Sequence, residues 1–234
     1  MTRPALAVWL GRMPYGPAWD LQRRVGEAVR RGHLPDTLLL VEHDPVYTIG
    51  RAARGSRDNL LWDLPTLQRR GIALYEVDRG GDITYHGPGQ LVGYPILDLT
   101  RHGRDLHAYL RSLEEGLIRA LATWGVTAYR LPPHTGVWVD EPQGPAKIAA
   151  IGVKASRWIT SHGFALNVAP DLGHFTGIIP CGIRDKGVTS LARLLGAAAP
   201  DLVAVRPVVA EALARVWDLA WHWGTPEDLP DGEG

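Results

Sequence analysis

The sequence predicts an α+β fold in which a mixed, largely antiparallel sheet is flanked by helices. Three observations predict it. The runs VTAYR, GVWVD, KIAAIGV and WITSHGFALNV follow one another with short turns between them, which leaves no room for crossover helices and favours hairpins. From Leu106 to Trp124 apolar side chains recur at helical spacing. An apolar share of 45% in 234 residues supplies a substantial core, and no repeat or long linker divides the chain.

Taken in order, Ala5 to Leu10 reads as a strand, too short for a secretory core or a membrane span. Trp19, Leu21, Val25, Ala28 and Val29 recur at roughly helical spacing until Gly32. TLLLVEH is a buried strand, Leu64 to Arg70 a short helix, and IALYEVD and LVGYPILDL are strands on either side of the Gly-rich RGGDITYHGPGQ. Asp105 caps the long helix, whose Leu106, Tyr109, Leu110, Leu113, Leu117, Leu121 and Trp124 form a core face ending at Gly125. After the four close strands, helices from Val188 to Leu195 and from Pro207 to about Trp223 complete the fold. Residues 1–224 read as one domain, and 225–234, TPEDLPDGEG, as a polar tail.

Lys plus Arg and Asp plus Glu number 25 each, so no net field draws the molecule to nucleic acid or to an anionic membrane. The single cysteine, Cys181, has no partner for an internal disulfide, which agrees with a reducing, cytoplasmic setting and leaves a thiol to explain. Nine histidines are scattered without metal-ligand spacing, so no metal is expected.

Cys181 stands between Pro180 and Gly182, where helix is disfavoured and the chain turns sharply. Such a turn presents a thiol, although a lone cysteine is often a small buried hydrophobe. A thiol with a pKa near 8.5 is only about 3% thiolate at pH 7, so a nucleophilic role needs a nearby cation. Only three of the 25 basic residues are lysines, and one of them, Lys147, opens the apolar strand KIAAIGV. Burying its ammonium is costly unless an anion pairs with it, and a thiolate is a suitable anion; the plain alternative is a strand-end lysine reaching water. Lys154 and Lys186 read as surface residues. The glycines from Arg79 to Gly89 allow backbone to approach a ligand closely, yet they match neither a phosphate loop nor a dinucleotide fingerprint.

Three stretches, RGGDITYHGPGQLVGYPILDL, KIAAIGVKASRWITSHGFALNV and DLGHFTGIIPCGI followed by VTSL, together with the upstream EHDPVYTIGR, resemble the lipoyl(octanoyl) transferase family, octanoyl-carrier-protein to protein N-octanoyltransferases. The resemblance runs from about residue 40 to 195 and implies the fold of biotin and lipoate protein ligases. It implies that octanoyl passes from acyl carrier protein through a thioester on Cys181 to a lysine of a lipoyl domain, with Lys147 lowering the pKa of the thiol. The acyl chain is then lined by Arg79, Gly80, Gly81, Asp82, Ile83, Thr84, Tyr85 and His86, by Ala150, Ile151 and Gly152, and by Gly163, Phe164 and Ala165. It further implies no cofactor, and as acceptors the lipoyl domains of 2-oxoacid dehydrogenase complexes and the glycine cleavage H protein.

Passage from thioester to amide is downhill, so no ATP is required, and backbone N–H groups near Gly182 or Gly163 are candidate donors to the tetrahedral oxyanion. Three other readings stay open: an ATP-dependent lipoate or biotin protein ligase, a cysteine hydrolase using Cys181 with His86 or His162, and a lipoyl-domain binding module without chemistry. Arg51, Arg54 and Arg57 form a candidate docking patch for acidic protein substrates, against the alternative of a solvated loop. The depth of the acyl site depends on packing among residues such as Leu91, Ile151 and Phe164.

Overall fold

The computed structural model describes residues 2–183 and 185–231, and Cys181 by its backbone alone. The chain begins with strand β1 (Arg3–Met13) and helix α1 (Tyr15–Arg31), whose Ala18, Leu21, Val25 and Val29 are buried at helical spacing. Gly32 stops the helix at φ 76°, a conformation that side chains avoid, and its N–H caps the last carbonyls. There follow β2 (Thr37–His43), β3 (Val46–Ile49), α2 (Leu64–Arg69), β4 (Ala73–Glu76), β5 (Ile83–His86) and β6 (Gln90–Ile96). Helix α3 (Leu106–Ala122) starts where the Asp105 carboxylate accepts the N–H groups of His107 and Ala108. The meander β7 (Tyr129–Leu131), β8 (His134–Glu141), β9 (Gly144–Ser156) and β10 (Ile159–Asn167) comes next, antiparallel throughout.

The C-terminal part differs from the sequence prediction. Gly187–Val188 is a short strand, β11, alongside Ala146 and Lys147, and helix α4 is confined to Leu191–Leu195 because Ser190 caps it. Helix α5 covers Leu202–Trp217: Asp201 caps it, Pro207 lies inside it, and Asp218 ends it at φ 55°. The proline had been read as a first-turn residue, the position where its missing N–H does no harm. Leu219–Gly224, expected as helix, is edge strand β12, parallel to β1. The expected tail is ordered as far as it is described: Thr225 and Asp228 cap a turn and Leu229 is buried against α1's core cluster. Residues 232–234 lie outside the described residues.

Among the described residues, nine strands form the main sheet in the order β12-β1-β2-β6-β10-β9-β8-β7, with β11 beside β9. Its pairings are antiparallel from β2 to β7 and parallel at the flanks, the mixed, largely antiparallel sheet that the sequence predicts. Pleating sends alternate residues to opposite faces. Leu38 and Leu40 join Leu113, Leu117, Leu121, Val205, Val209 and Leu213 of α3 and α5, whereas Leu39 and Val41 join Ala18, Val25 and Val29 of α1. A second sheet, β4-β3-β5, stands off the α1 side and has its own cluster of Tyr47, Ile49, Ile83, Tyr85 and Ile178. No described helix is long and apolar enough to cross a membrane.

Candidate active site

Between the two sheets lies a cleft of about 440 Å³, lined by Tyr15, Arg79, Gly81, Thr84, His86, Val92, Tyr94, Ala150, Ile151, Gly152, His162, Gly163, Phe164 and Ala165. A smaller space of about 280 Å³ is lined by Thr84, Gln90, Lys147, Ala150, Asn167, Phe175, Pro180 and Val188. Thr84 and Ala150 border both, so the two spaces adjoin along β9 and β10, and the slot is the two taken together.

The floor follows from strand parity. Ala165 pairs with Ala150 and Gly163 with Gly152, so small residues occupy the side of β9 and β10 that faces the slot, in line with Val92 and Tyr94 of β6. Phe164 and Ile151 border the slot but pack into the core on the other face. Gly152 has no substitute: a Cβ there would meet the Gly80 carbonyl at 2.9 Å and Arg79 Cδ at 3.0 Å, so its absence lets the roof loop settle onto β9. Gly80 fastens that loop by donating its N–H to the Val153 carbonyl at 2.9 Å.

The roof is β5 and the Arg79–Gly81 turn. Thr84 and His86 face the slot, whereas Ile83 and Tyr85 point the other way into the small sheet's own cluster. The Tyr85 hydroxyl lies 2.7 Å from His174 Nδ1, and Tyr47 donates to the His174 carbonyl at 2.5 Å, so both tyrosines hold the loop that leads to Pro180. Asp82 accepts from Asn59 Nδ2 at 2.5 Å and from the Ile83 N–H at 2.6 Å, and its carboxylate borders Gly182. Of the residues expected to line the acyl chain, Gly80, Asp82, Ile83 and Tyr85 therefore support the slot without facing it. Arg79 is buried and donates to the Thr48 carbonyl at 2.6 Å, to Thr48 Oγ1 and to the Gly80 carbonyl.

The far end is aromatic. Tyr15 stacks on His86 at 6.0 Å and 8°, and His43 Nε2 lies 2.7 Å from the Tyr94 hydroxyl. His162 interrupts β10 at φ 57°, a left-handed conformation costing about 1 kcal/mol, and this turns its ring out of the pleat and into the slot. Its Nε2 is 2.7 Å from Asp78 Oδ1 and its backbone N–H donates to Gln22. Burial pushes His162 below the ordinary imidazole range, outweighing the raising effect of Asp78. His43 is pushed down to about 4 by burial, and His86 is held well below its usual value, chiefly by burial and then by His43 and Arg79. Asp78, hydrogen-bonded to His162 and Lys154, sits far below the usual carboxylate range. At neutral pH the histidine rings of the slot are therefore uncharged, the Arg79 guanidinium supplies the charge in its lining, and the Asp78 and Lys154 pair stands at its rim. Lys154, expected as a surface residue, is that rim cation, while Lys186 pairs with exposed Asp185.

At the other end Lys147 is 6% exposed, with its ammonium 4.8 Å from the centre of the Trp138 ring. A chain of hydrogen bonds surrounds it: Gln90 donates to Asn167, Asn167 to the Thr189 carbonyl, and the Thr189 N–H to the Lys147 carbonyl. Cys181 is the middle residue of a tight turn, Pro180–Gly182, after which Gly182 takes φ 69°. The Gly182 N–H already donates to the Ile179 carbonyl at 3.0 Å, which removes it as an oxyanion donor in this conformation. The expected approach of Lys147 Nζ to Cys181 Sγ involves a side chain outside those described. Arg51, Arg54 and Arg57 are exposed on a loop whose continuation, Asn59–Trp62, pairs with Gly177–Ile179 next to this turn. Among the described residues, no three His, Cys, Asp or Glu side chains gather as metal ligands would.

Sequence reading had not singled out Tyr15, Tyr94, Val92, Asp78, Gln90, Asn167 or Trp138. It had named Leu91 for slot depth, but Leu91 faces the α3 and α5 core and its neighbour Val92 faces the slot. The period of two was visible there; which of the two faces held the ligand was not.

A mixed sheet flanked by helices, with a largely apolar cleft against a second small sheet and a buried lysine near one end, defines an α+β protein with a ligand-sized site. The chain matches the family described as lipoyl protein ligase A/B catalytic domain over residues 14–214. It is 54% identical over 200 residues to the octanoyltransferase of Rubrobacter xylanophilus, covering 85% of this chain and 87% of that one. It is 50% identical over 210 residues to that of Solibacter usitatus, covering 90% and 91%. The structure of Ta0514, a lipoate protein ligase from T. acidophilum with bound lipoic acid, shares the fold at a TM-score of 0.72 and 18% identity, covering 95% of this chain and 89% of that one. The protein belongs to the lipoyl protein ligase A/B catalytic domain family and, within it, to the octanoyltransferases, which are acyltransferases.

Proposed function

We propose that this octanoyltransferase takes its acyl group from octanoyl acyl carrier protein, holds it as a thioester on Cys181 and delivers it to a lysine of a lipoyl domain in the cytoplasm. Acceptors are the lipoyl domains of 2-oxoacid dehydrogenase complexes and the glycine cleavage H protein. One observation carries the reading: the slot that ends on uncharged aromatic rings is walled at its opposite end by Lys147 and by Pro180, the chain neighbour of Cys181.

In the first half-reaction the Cys181 thiolate attacks the donor thioester carbonyl, a new C–S bond forms, the bond to the carrier's sulfur breaks, and the departing carrier thiolate takes a proton from the Lys147 ammonium, which becomes neutral. The Lys147 ammonium favours the thiolate. In the second, the neutral acceptor amine attacks the same carbonyl, the C–N bond forms, the C–S bond to Cys181 breaks, and neutral Lys147 accepts the amine's proton, which restores the ammonium and thiolate pair. Arg79 to His86, Ala150 to Gly152 and Gly163 to Ala165 enclose the chain meanwhile, either facing it or holding the faces that do.

Incubation with octanoyl carrier protein followed by intact mass is expected to show one octanoyl adduct, absent in Cys181→Ala. Full activity only with ATP would instead make the protein a ligase, and free octanoate without an acceptor would make it a hydrolase.

A further inference from the structure

Trp138 has no place in the scheme above, yet it is one of the largest fully buried side chains in the molecule, at 1% exposure. It pairs across the sheet with Lys147, and a register shift between Val137 and Trp138 sets that pairing. The indole face receives the Lys147 ammonium, 4.8 Å from the ring centre. Gly136 takes φ 123°, and a Cβ there would meet the Ala149 carbonyl at 2.7 Å and then Lys147 Cε at 3.3 Å and Cδ at 3.4 Å, so its absence lets the strand close and leaves space beside the lysine stem. The Gly136 N–H is in turn fixed by the buried Glu114 carboxylate at 3.1 Å, itself held by Arg111 and Arg130. Bulge, glycine and buried carboxylate thus converge on one outcome, an ammonium lying on an aromatic face inside the protein.

We propose that Trp138 is a positioning residue: its indole is the platform that keeps the Lys147 ammonium at the reaction end of the slot. The quadrupole of the ring attracts the cation, and its bulk excludes water from one side of it. The proposal rests on the role assigned to Lys147 above, and the test separates the two.

The readout is the pH midpoint of Cys181 alkylation by iodoacetamide in the full-length protein, which a merely structural role of Trp138 does not move. A cation–π contact in a desolvated site corresponds to a midpoint rise of roughly half a unit to one unit when the ring is lost. Trp138→Leu should show that rise, Trp138→Phe should undo most of it, and Trp217→Leu, at a buried tryptophan of α5 (6% exposed), should show none. Trp138→Met, which keeps bulk without a ring, takes the place of the leucine variant if that variant does not fold. Lys147→Ala should raise the midpoint further, and adding Trp138→Leu to it should change nothing more. An unshifted Lys147→Ala removes the lysine role itself. A shifted Lys147→Ala beside an unshifted Trp138→Leu and Trp138→Met overturns the platform alone, as does an equal shift in Trp138→Phe and Trp138→Leu.

Discussion

The buried ring of His43 makes a stability prediction that can be worked from the structure. Its Nδ1 lies 2.9 Å from the Met13 carbonyl and its Nε2 2.7 Å from the Tyr94 hydroxyl, and around it stand the rings of Tyr15 and His86. Burial pushes its pKa down to about 4; hydrogen bonding to Met13 and the Asp44 carboxylate oppose this without overcoming it. In the unfolded chain the same ring titrates near 6.5. As pH falls below 6.5 the unfolded state binds a proton that the folded state refuses until about pH 4, so His43 contributes stability that is present above 6.5 and lost across that window. The loss from this residue is about 2 kcal/mol between pH 7 and pH 5, and about 3 kcal/mol by pH 4. Urea unfolding at pH 7 and pH 5 should show it as a fall in the midpoint at constant slope. His86, depressed by burial in the same way, adds to the fall. His43→Gln retains hydrogen-bonding capacity but does not titrate, so its stability should decline by about 2 kcal/mol less over the same interval. Equal declines in the two proteins would refute the claim that His43 is buried uncharged.

Two further predictions test the slot and its surroundings. Ala165→Leu fills the floor opposite Ala150, so octanoyl loading should fall at least tenfold while Cys181 alkylation by a small reagent is unchanged; equal loading would mean that the chain lies elsewhere. Charge reversal at Arg51, Arg54 and Arg57 should weaken the salt dependence of turnover with carrier protein, and an unaltered dependence would remove that loop from docking.

Sequence alone made the meander from β7 to β10 legible, because short turns between apolar runs admit hairpins and little else. It made α3 legible too, through Asp105 and its apolar stripe. Lys147 stood out because a charged residue in KIAAIGV needs a reason. The slot's detailed lining was harder. Ile83, Thr84, Tyr85 and His86 adjoin in sequence, yet the pleat of β5 divides them between the slot and the small sheet's core. Only long-range pairing decides which pair goes where. His162 carries no sequence signal of its left-handed backbone, and Trp138 none of its contact with Lys147, since both depend on register with a neighbouring strand. Pro207 misplaced a helix start because tertiary packing tolerates a proline that local rules would put at the first turn.

On the proposed function, the distribution of charge favours a hydrocarbon tail in the slot with its polar end toward Lys147. An ionised group among Val92, Tyr94, Ala150 and Ala165 would forfeit hydration without a fixed counter-ion, which costs several kcal/mol. The three histidines that could have added positive charge are all depressed by burial, so the charge in that lining is the buried Arg79 guanidinium, which donates to the Thr48 carbonyl, Thr48 Oγ1 and the Gly80 carbonyl. Lys147 lies at one end, against the Trp138 ring, and the Asp78 and Lys154 pair, 2.5 Å apart, lies at the other rim. On that reading, an acyl chain entering with its carbonyl toward Lys147 lays its carbons against Val92, Tyr94, Ala150 and Ala165. Entering the other way, the carbonyl would lie among the uncharged rings at the far end, and its acyl carbon would be out of reach of the Pro180–Gly182 turn. The proposed site thus favours one orientation by desolvation before any specific contact with the reacting atoms is made.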